Sequence, residues 1–389
     1  MKVCIIYFSA FQSLLQRDTN AHLDRGDEVD VICYGLPGDI KLFVDGLLKV
    51  YRLIERHIEK ESFFDYFLKL SYFWLLTFLK LTFSATTKRY DLIHVVSPPD
   101  SMIFVTIIQK LLGARVILNI HDITPDFFMR KLGVSERHIA TRLLKYMEKI
   151  SCHFSDHVLT VTDLWRDKLI ERTGIPPSKC SVFMNVCDDR LLGLSKKSKV
   201  TNESDFRLLY PGNLGEHFGV ETLIRAIPLI KREIPFVQLN IFGNGPLKKY
   251  FEKLSRALHL EGVVSIRPPI PLHELILVMR QADVGIVPTS DGTFAGEALS
   301  TKSLEFIAVG TPVVISRTTA SQYYYDDSMV MYFKPGDYED LARCVIELYR
   351  HPEKRKELNE NSKEFNKRHN WEYYKKVYLK VVDDLCKPC

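Results

Sequence analysis

Short apolar runs alternate with longer amphipathic segments along most of the chain. The apolar runs, rich in β-branched and aromatic residues, predict strands. They lie at 3–8, 29–34, 92–96, 116–120, 157–161 and 181–184, and then at 206–210, 237–242, 263–267, 284–287 and 313–315. The segments between them are long enough for crossover helices, notably at 220–230, 247–258 and 302–309. This alternation predicts an α/β fold with mainly parallel sheets, the first with six strands.

A polar segment separates the two halves of this pattern. Residues 195–205, SKKSKVTNESD, have the composition of an exposed linker. We therefore predict two Rossmann-like doubly wound domains, 1–198 and 199–366, followed by a helix at 367–389 that returns to the first domain. Because such sheets bind ligands outside the carboxyl ends of their strands, the expected site is an interdomain cleft.

Composition narrows the possible partners. The chain has 389 residues, and 53 basic against 48 acidic residues leave a net charge of only +5, without long basic runs. Nucleic acid is therefore not an expected partner. The eight cysteines are scattered, so no disulfide framework is predicted. The first apolar run, Val3 to Tyr7, is too short for a signal peptide, which favours a cytoplasmic protein.

Two common classes of nucleotide-binding protein are disfavoured by missing motifs. The first strand is followed by SAFQSL, with no glycine before Gly26, whereas a dinucleotide-binding turn needs glycines at that place. No G-x-x-x-x-G-K-[ST] loop occurs either. The sequence thus argues against an NAD-dependent dehydrogenase and a P-loop ATPase.

Residues 293–316, TFAGEALSTKSLEFIAVGTPVVIS, carry two glutamates in an ordered pattern of loop, helix and strand. Glu297 lies on the predicted loop and Glu305 on the predicted helix. A carboxylate accepts two hydrogen bonds side by side and so matches a vicinal diol of a ribose or another sugar. Each glutamate taken alone fits a solvated surface acid better than a ligand.

A glycine-rich turn follows the first strand of the second half. Gly212 and Gly215 lie between that strand and the helix predicted from residue 220. Free backbone N–H groups and the helix dipole would converge there on an anion such as a diphosphate. The alternative is a structural turn that uses glycine only for its backbone angles.

Seven segments in order resemble the retaining nucleotide-sugar glycosyltransferases of the GT-B fold, specifically glycosyltransferase family four of the polysaccharide-assembly type. The E-x7-E signature appears as Glu297 to Glu305. The other segments are YDLIHVVSPP (90–99), NIHDITP (119–125), FMNVCDD (183–189), YPGNLGEHFGVETLIRAI (210–227), LNIFGNGP (239–246) and ADVGIVP (282–288).

The resemblance implies transfer of a sugar from a UDP- or GDP-linked donor to a hydroxyl of a glycan or lipid-linked acceptor. The implied enzyme is a hexosyl-type transferase that retains configuration, needs no metal and uses no cofactor besides the donor substrate. The resemblance assigns a catalytic role to His121, Glu297 and Lys302. It assigns donor binding to Gly212, Asn213, Gly215, His217, Gly243, Arg267 and Glu305.

The glycine-rich turn departs from the family pattern at two positions. The family commonly has Arg after the first glycine and Lys before the last, where this chain has Asn213 and Phe218. A diphosphate without cationic partners is costly to bury. We expect Lys302 to replace the missing charge rather than His217, because histidine is mostly neutral at pH 7.

These departures keep two other functions open. One is a catalytically silent GT-B subunit that binds a partner. The other is a GT-B sugar-nucleotide epimerase. The terminal Cys386-Lys387-Pro388-Cys389 is a weak redox motif at a chain end.

Residues 63–83, FFDYFLKLSYFWLLTFLKLTF, are unusually rich in large apolar side chains. As a helix this segment would be about 31 Å long. A lysine near the middle of a membrane costs about 2.5–3.5 kcal/mol, which disfavours a spanning helix. Packing on the first sheet and docking at the inner face of the membrane remain open, the second with Lys69, Trp74 and Lys80 as contacts.

Overall fold

The computed structural model describes residues 1–9, 13–55, 63–188, 190, 205–290 and 296–387. The chain divides into two compact units. Unit 1 comprises Met1–Asn185 and Tyr374–Cys389, and unit 2 comprises Val186–Tyr373. The predicted boundary at 198, most of the predicted linker, the start of the 293–316 segment and the end of the C-terminal cysteine motif lie outside the described residues.

Unit 1 contains one sheet. Its strands pair in the order β3-β4-β2-β1-β5-β6-β7-β8. All neighbours are parallel except β3 and β4, which are antiparallel. The strands are β1 (Lys2–Tyr7), β2 (Glu28–Gly35), β3 (Leu42–Asp45), β4 (Leu48–Glu55), β5 (Leu92–Ser97), β6 (Arg115–Ile120), β7 (His157–Thr160) and β8 (Cys180–Val182).

Helices connect these strands. They are α1 (Ser13–Leu23), α2 (Phe63–Ser84), α3 (Ile107–Leu111), α4 (Thr124–Leu132), α5 (Ile139–Phe154) and α6 (Asp163–Thr173), with 3-10 turns at Asp100–Thr106 and Pro177–Lys179. One core lies between one face of the sheet and α2, α5 and α6, and it includes Phe73, Cys152 and Leu169. None of the described helices is long and apolar enough to cross a membrane.

Unit 2 also contains one sheet, parallel throughout its described strands, in the order β11-β10-β9-β12-β13-β14. The strands are β9 (Phe206–Pro211), β10 (Val237–Phe242), β11 (Val264–Arg267), β12 (Val284–Val287), β13 (Val313–Ser316) and β14 (Met331–Phe333). The helices of unit 2 are α7 (Val220–Glu233), α8 (Lys248–Ala257), α9 (Leu272–Gln281), α10 (Thr301–Val309), α11 (Thr319–Tyr324), α12 (Tyr338–Arg350) and α13 (Pro352–Arg368), with a 3-10 turn at Glu216–Phe218. The last helix, α14 (Trp371–Cys386), begins in unit 2 and belongs to unit 1 from Tyr374 onward.

The predicted α/β class with two parallel-sheet units is confirmed. The prediction of six strands in the first sheet is wrong, because that sheet has eight among the described residues. The two additional strands, β3 and β4, form a hairpin around Gly46, whose φ of 54° suits glycine. Every residue of β3 is exposed, so the strand has no alternation of buried and exposed side chains from which the sequence could predict it.

The last helix joins unit 1 through a buried aromatic residue. Tyr378 of α14 is fully buried. Its ring stacks on Phe183, with 5.0 Å between the ring centroids. Its hydroxyl hydrogen-bonds to His22 of α1 and to His94 of β5. Residues 374–386 are therefore part of the packing of unit 1.

Candidate active site

The glycine-rich turn of unit 2 follows β9 and leads into α7. The N–H of Gly212 donates to the carbonyl of Phe242, at 2.8 Å. The N–H groups of Asn213 and Gly215 have no acceptor among the described residues. No side chain caps the N-terminus of α7. The turn therefore offers backbone donors to an anion, but from Asn213 and Gly215 rather than from Gly212.

Close backbone approach explains three glycines around this turn. A Cβ on Gly243 would lie 1.9 Å from the carbonyl oxygen of Gly212. A Cβ on Gly219 would lie 1.6 Å from the carbonyl oxygen of Pro288. A Cβ on Gly245 would meet the backbone of Leu214 at 2.7 Å. A side chain at any of these positions would therefore force apart the segments that follow β9, β10 and β12 beside the exposed amides.

Lys302, the second residue of α10, reaches the same turn. Its ammonium nitrogen lies 4.8 Å from the ring centre of Phe218 and 5.3 Å from that of Tyr210. A Cβ on Gly212 would lie only 2.3 Å from Lys302 Cε, so the lysine stem crosses that glycine. Phe218, at the position where the family commonly has lysine, thus provides an aromatic ring against which Lys302 packs.

Glu305 lies one helical turn after Lys302, and both side chains are half-buried. Burial raises the pKa of Glu305 to about 7, although the charge of Lys302 acts in the opposite direction. Burial likewise lowers the pKa of Lys302 to about 8, against the effect of Glu305. Neither charged group has a hydrogen bond or ion pair with another described residue. Both are thus available to a ligand.

Three other residues of unit 2 were predicted to act at the site: His217, Arg267 and Glu297. The carbonyl of His217 accepts hydrogen bonds from both the N–H and the hydroxyl of Ser290, at 3.0 and 2.9 Å. Arg267 ends β11, is exposed and donates from Nε to the hydroxyl of Ser265 at 2.9 Å. Glu297 is half-buried and follows residues outside the described part. Their roles stay predictions.

In unit 1, His121 follows β6 at the carboxyl edge of the sheet. Burial, together with the charge of Arg17, lowers the pKa of His121 to about 3, so the ring is neutral at pH 7. Its Nε2 is buried without a hydrogen-bond partner among the described residues. The ring contacts Tyr7 edge to face, with 6.0 Å between centroids. Burial raises the pKa of the neighbouring Asp122 to about 6.

Sequence reasoning missed Arg17. This buried residue of α1 pairs with Asp18 at 2.8 Å, and its guanidinium lies 4.9 Å from the ring centre of Phe183. Its charge lowers the pKa of both His121 and His94, in each case after burial as the larger cause. The only available signal was an Arg-Asp pair in the helix after the first strand.

The predicted membrane contacts lie on α2. Trp74 is half-buried, donates from Nε1 to the carbonyl of Ser101 at 3.1 Å and stacks on Phe78. The ammonium of Lys80 lies 3.4 Å from the ring centre of Tyr51 in β4. Trp74 therefore faces the 3-10 turn, Lys80 faces β4, and Lys69 is half-buried. Their roles at a membrane stay predictions.

Two family models match the chain, one on each half. The model described as "Glycosyltransferase Family 4" matches residues 19–190. The model described as "Glycosyl transferases group 1" matches residues 194–365 and so includes the glycine-rich turn, Lys302 and Glu305. The chain belongs to these glycosyltransferases. Their two-domain GT-B architecture agrees with the two parallel sheets.

Solved structures with the same fold match this protein over nearly its whole chain. Sucrose-phosphate synthase from Thermosynechococcus elongatus matches with a TM-score of 0.76 at 16% identity, covering 99% of both chains. Anabaena HepE, solved in complex with UDP and glucose, matches with a TM-score of 0.71 at 13% identity, covering 99% of this chain and 100% of its own. At these identities the likeness concerns the fold.

A relative by sequence is the Salmonella typhimurium protein named "Putative colanic acid biosynthesis glycosyltransferase WcaL". It is 28% identical over 160 residues, which are 41% of this chain and 39% of the relative. The D-inositol 3-phosphate glycosyltransferase of Corynebacterium kroppenstedtii is 24% identical over 233 residues, 56% of this chain and 51% of its own. The chain thus spans about two fifths to one half of the length of these curated relatives.

Proposed function

We propose that this protein transfers a sugar from a nucleoside diphosphate to a hydroxyl of a glycan or lipid-linked acceptor, with retention at the anomeric carbon. The observation that supports this most directly is the position of Lys302. Its ammonium lies beside the amide-lined turn at Gly212 and one helical turn from Glu305. A cation, free amides and a carboxylate together match a diphosphate joined to a ribose diol.

In this proposal unit 2 holds the donor. The N–H groups of Asn213 and Gly215 and the ammonium of Lys302 bind the diphosphate, and Glu305 accepts hydrogen bonds from the ribose hydroxyls. Negative charge grows on the diphosphate as the glycosidic bond breaks. Preoriented donors stabilise that charge without reorganisation, which lowers the barrier. Since these groups supply the positive charge, we expect transfer to persist without a divalent cation.

The transfer step needs no second carboxylate as nucleophile. The departing phosphate oxygen accepts the proton of the acceptor hydroxyl, and the new glycosidic bond forms on the face from which the diphosphate leaves. Glu297 binds hydroxyls of the transferred sugar. His121, neutral at pH 7 because burial lowers its pKa to about 3, exchanges hydrogen bonds with the sugar instead of carrying charge. Correct alignment supplies the remaining rate enhancement.

Relatives suggest the substrate class. HepE was solved with UDP and glucose, which makes a UDP-linked hexose the first donor to test, before GDP-linked sugars. The name of WcaL refers to colanic acid biosynthesis, which favours a polysaccharide precursor as acceptor. A precursor carried on a lipid would place the enzyme at the inner face of the cell membrane as a peripheral protein.

The first experiment is a thermal-shift panel of UDP-, GDP-, ADP- and CMP-linked sugars with wild type, Glu305→Gln and Glu297→Gln. A donor at 100 times its Kd should stabilise the wild type by about 2.7 kcal/mol. Glu305→Gln should lose most of this stabilisation, and Glu297→Gln should retain it but lower kcat. The anomeric configuration of the product, read by NMR, tests retention, and chelator addition tests metal independence.

Three results would contradict the proposal. Absence of stabilisation by any donor together with absence of transfer would favour a silent subunit. Release of a free, altered sugar would indicate an epimerase. Unchanged kinetics in both glutamate variants would refute the assigned roles.

A further inference from the structure

Helix α2 of unit 1 buries one face and exposes an apolar one. Phe73, Thr77 and Leu81 on its inner face are at most 1% exposed. The outer face carries a row of five exposed apolar residues. Successive members are four, three, four and four positions apart, so the row runs about 22 Å along the helix. The members of this row are between 38% and 71% exposed: Leu68, Tyr72, Leu75, Leu79 and Phe83.

Helix α5 carries a second exposed apolar row, beside basic residues. Ile139, Leu143 and Tyr146 recur at i, i+4 and i+7 and are 61–65% exposed. Arg142 and Lys149 are exposed on the same helix, about 60–80° around the axis from Ile139 at 100° per residue. Neither cation has an ion pair or hydrogen bond with another described residue.

The two rows lie on the same side of the first sheet. Phe73 of α2 and Cys152 of α5 enter one core. The 3-10 turn Asp100–Thr106 joins them, because Trp74 of α2 bonds to Ser101 and Phe104 contacts Phe154 of α5 at 5.2 Å between ring centroids. We call the five residues of the α2 row and the three of the α5 row the apolar face.

The other side of the sheet differs. It carries α1 and residues 374–386 of α14, since Tyr378 bonds to His94, whose side chain faces away from Ile93 and Val95 of the core. Among the described residues of these two helices, the only large apolar side chain as exposed as those of the apolar face is Tyr373, in the first turn of α14. Exposed apolar side chains also occur in the β3–β4 hairpin, so the apolar face is distinguished by its two helical rows, a pattern typical of interaction sites.

We propose that the apolar face docks on a bilayer surface that contains anionic lipids. The apolar rows would enter the boundary between headgroups and acyl chains, and Arg142 and Lys149 would lie against lipid phosphates. Each basic residue near such a surface contributes about 1 kcal/mol. The proposal deepens the proposed function, since it gives a lipid-linked acceptor a surface, but the docking does not depend on sugar transfer.

Charge argues for lipid over a second copy of the chain. In a twofold symmetric dimer through this face, the same surface meets itself. Arg142 and Lys149 of both copies would then enter one interface, to which the rows themselves bring no acidic partner. An anionic membrane supplies the opposite charge that these positions lack.

The test is co-sedimentation of the full chain with vesicles of phosphatidylcholine alone, or of phosphatidylcholine and phosphatidylglycerol in equal parts. We expect at least tenfold stronger pelleting with the anionic vesicles, weakened by salt because screening shortens the range of the attraction. Leu75→Glu with Leu79→Glu should abolish pelleting. Arg142→Glu with Lys149→Glu should remove the preference for the anionic lipid.

Matched controls come from exposed positions of unit 2. Tyr338→Glu controls for an acidic residue at an exposed aromatic position, and Lys231→Glu with Arg232→Glu controls for net charge. Both should pellet like the wild type. Trp74 is a poor probe because it packs inward.

Two results would overturn the proposal. One is wild-type protein that stays in the supernatant with both vesicle types, or face variants that pellet like wild type. The other is a dimer in light scattering that the Leu75/Leu79 variant converts to monomer, which would assign the face to a second copy. Donor-induced thermal shifts in the same samples report on the proposed function separately, so either proposal can fail alone.

Discussion

The hydroxyl of Tyr378 lies 2.8 Å from Nε2 of His22 and so joins the last helix to α1 within unit 1. Nδ1 of His22 lies 2.9 Å from the carboxylate of Asp27, which can only accept. Neutral His22 therefore donates from Nδ1 and accepts the Tyr378 proton at Nε2. The Tyr378 oxygen must then accept from Nδ1 of His94, at 2.9 Å. Hydrogen bonding thus fixes both tautomers.

Tyr378→Phe removes the central member of this chain. Two buried imidazole nitrogens then lose their partner, and each unsatisfied group costs about 1–3 kcal/mol. We expect the free energy of unfolding to fall by about 2–6 kcal/mol, measured by urea unfolding followed by tryptophan fluorescence. Tyr374→Phe on the same helix is the control, because its hydroxyl lies 3.9 Å from the sulfur of Met184, a weak acceptor, and contacts neither histidine of the chain. Equal losses in both variants would contradict the tautomer chain.

Buried neutral histidines make unit 1 sensitive to acid. Burial lowers the pKa of His157 to about 4, with a smaller contribution from Lys179. Between pH 6.5 and 4 the unfolded chain then binds a proton that the folded chain does not, so stability falls as the pH falls. Each such histidine contributes about 1.4 kcal/mol per pH unit.

His157→Gln should reduce this pH slope of the unfolding free energy by about that amount per unit between pH 6.5 and 4. The measurement is a series of urea unfolding curves across this range. The exposed His138 is the control, and His138→Asn preserves a side chain that can cap α5. A pH slope that His157→Gln leaves unchanged between pH 6.5 and 4 would refute the assignment.

The strands of the two sheets were largely predictable, because strands buried on both faces appear as continuous β-branched runs. Val237–Phe242 and Val284–Val287 have the predicted bounds. The β3–β4 hairpin was not predictable, since β3 is exposed along its whole length. The alternation of apolar and polar residues reflects which side chains are buried. It therefore gives no signal for an exposed strand that pairs at the edge of a sheet.

The candidate site was predictable only in part. Spacing places Lys302 and Glu305 on one helix, and the strand-turn-helix pattern identifies Gly212 and Gly215. The position of Lys302 between two aromatic rings was not predictable, because Tyr210 and Phe218 come from elements about ninety residues earlier in the chain. The same holds for Tyr378, whose partners His22 and His94 are distant in sequence.

Gly212→Ala tests whether the lysine stem must cross the turn. The added Cβ would lie 2.3 Å from Lys302 Cε, so the ammonium must leave its place, and donor affinity should fall at least tenfold. Gly310→Ala is the control, because its φ of 75° is also positive but its Cβ would meet nothing within 4 Å. Both variants should lose about 1–2 kcal/mol of stability from backbone strain. Isothermal titration with UDP separates displacement of the Lys302 ammonium from the effect of backbone strain. Equal UDP affinities in the two variants would show that Lys302 need not cross Gly212 to bind the diphosphate.

Donor affinity should depend on pH through Glu305. Burial raises the pKa of this carboxyl to about 7, so in the free protein about half of it is protonated at neutral pH. A protonated carboxyl accepts the ribose diol less well, so Glu305 acts to weaken UDP binding as the pH falls from 8 to 6, whereas protonation of Lys302, whose pKa is about 8, acts to strengthen it. Glu305→Gln should bind UDP weakly and lose the change of affinity that Glu305 causes with pH.

Lys302→Met should move the step caused by Glu305 to higher pH, because the charge of Lys302 holds the pKa of Glu305 down. Lys302→Arg, which keeps the charge, should leave the midpoint near the wild-type value, and titration with UDP at each pH measures all four proteins. A pH dependence of UDP affinity that is the same in the wild type and in Glu305→Gln would show that Glu305 stays ionised or lies away from the ribose.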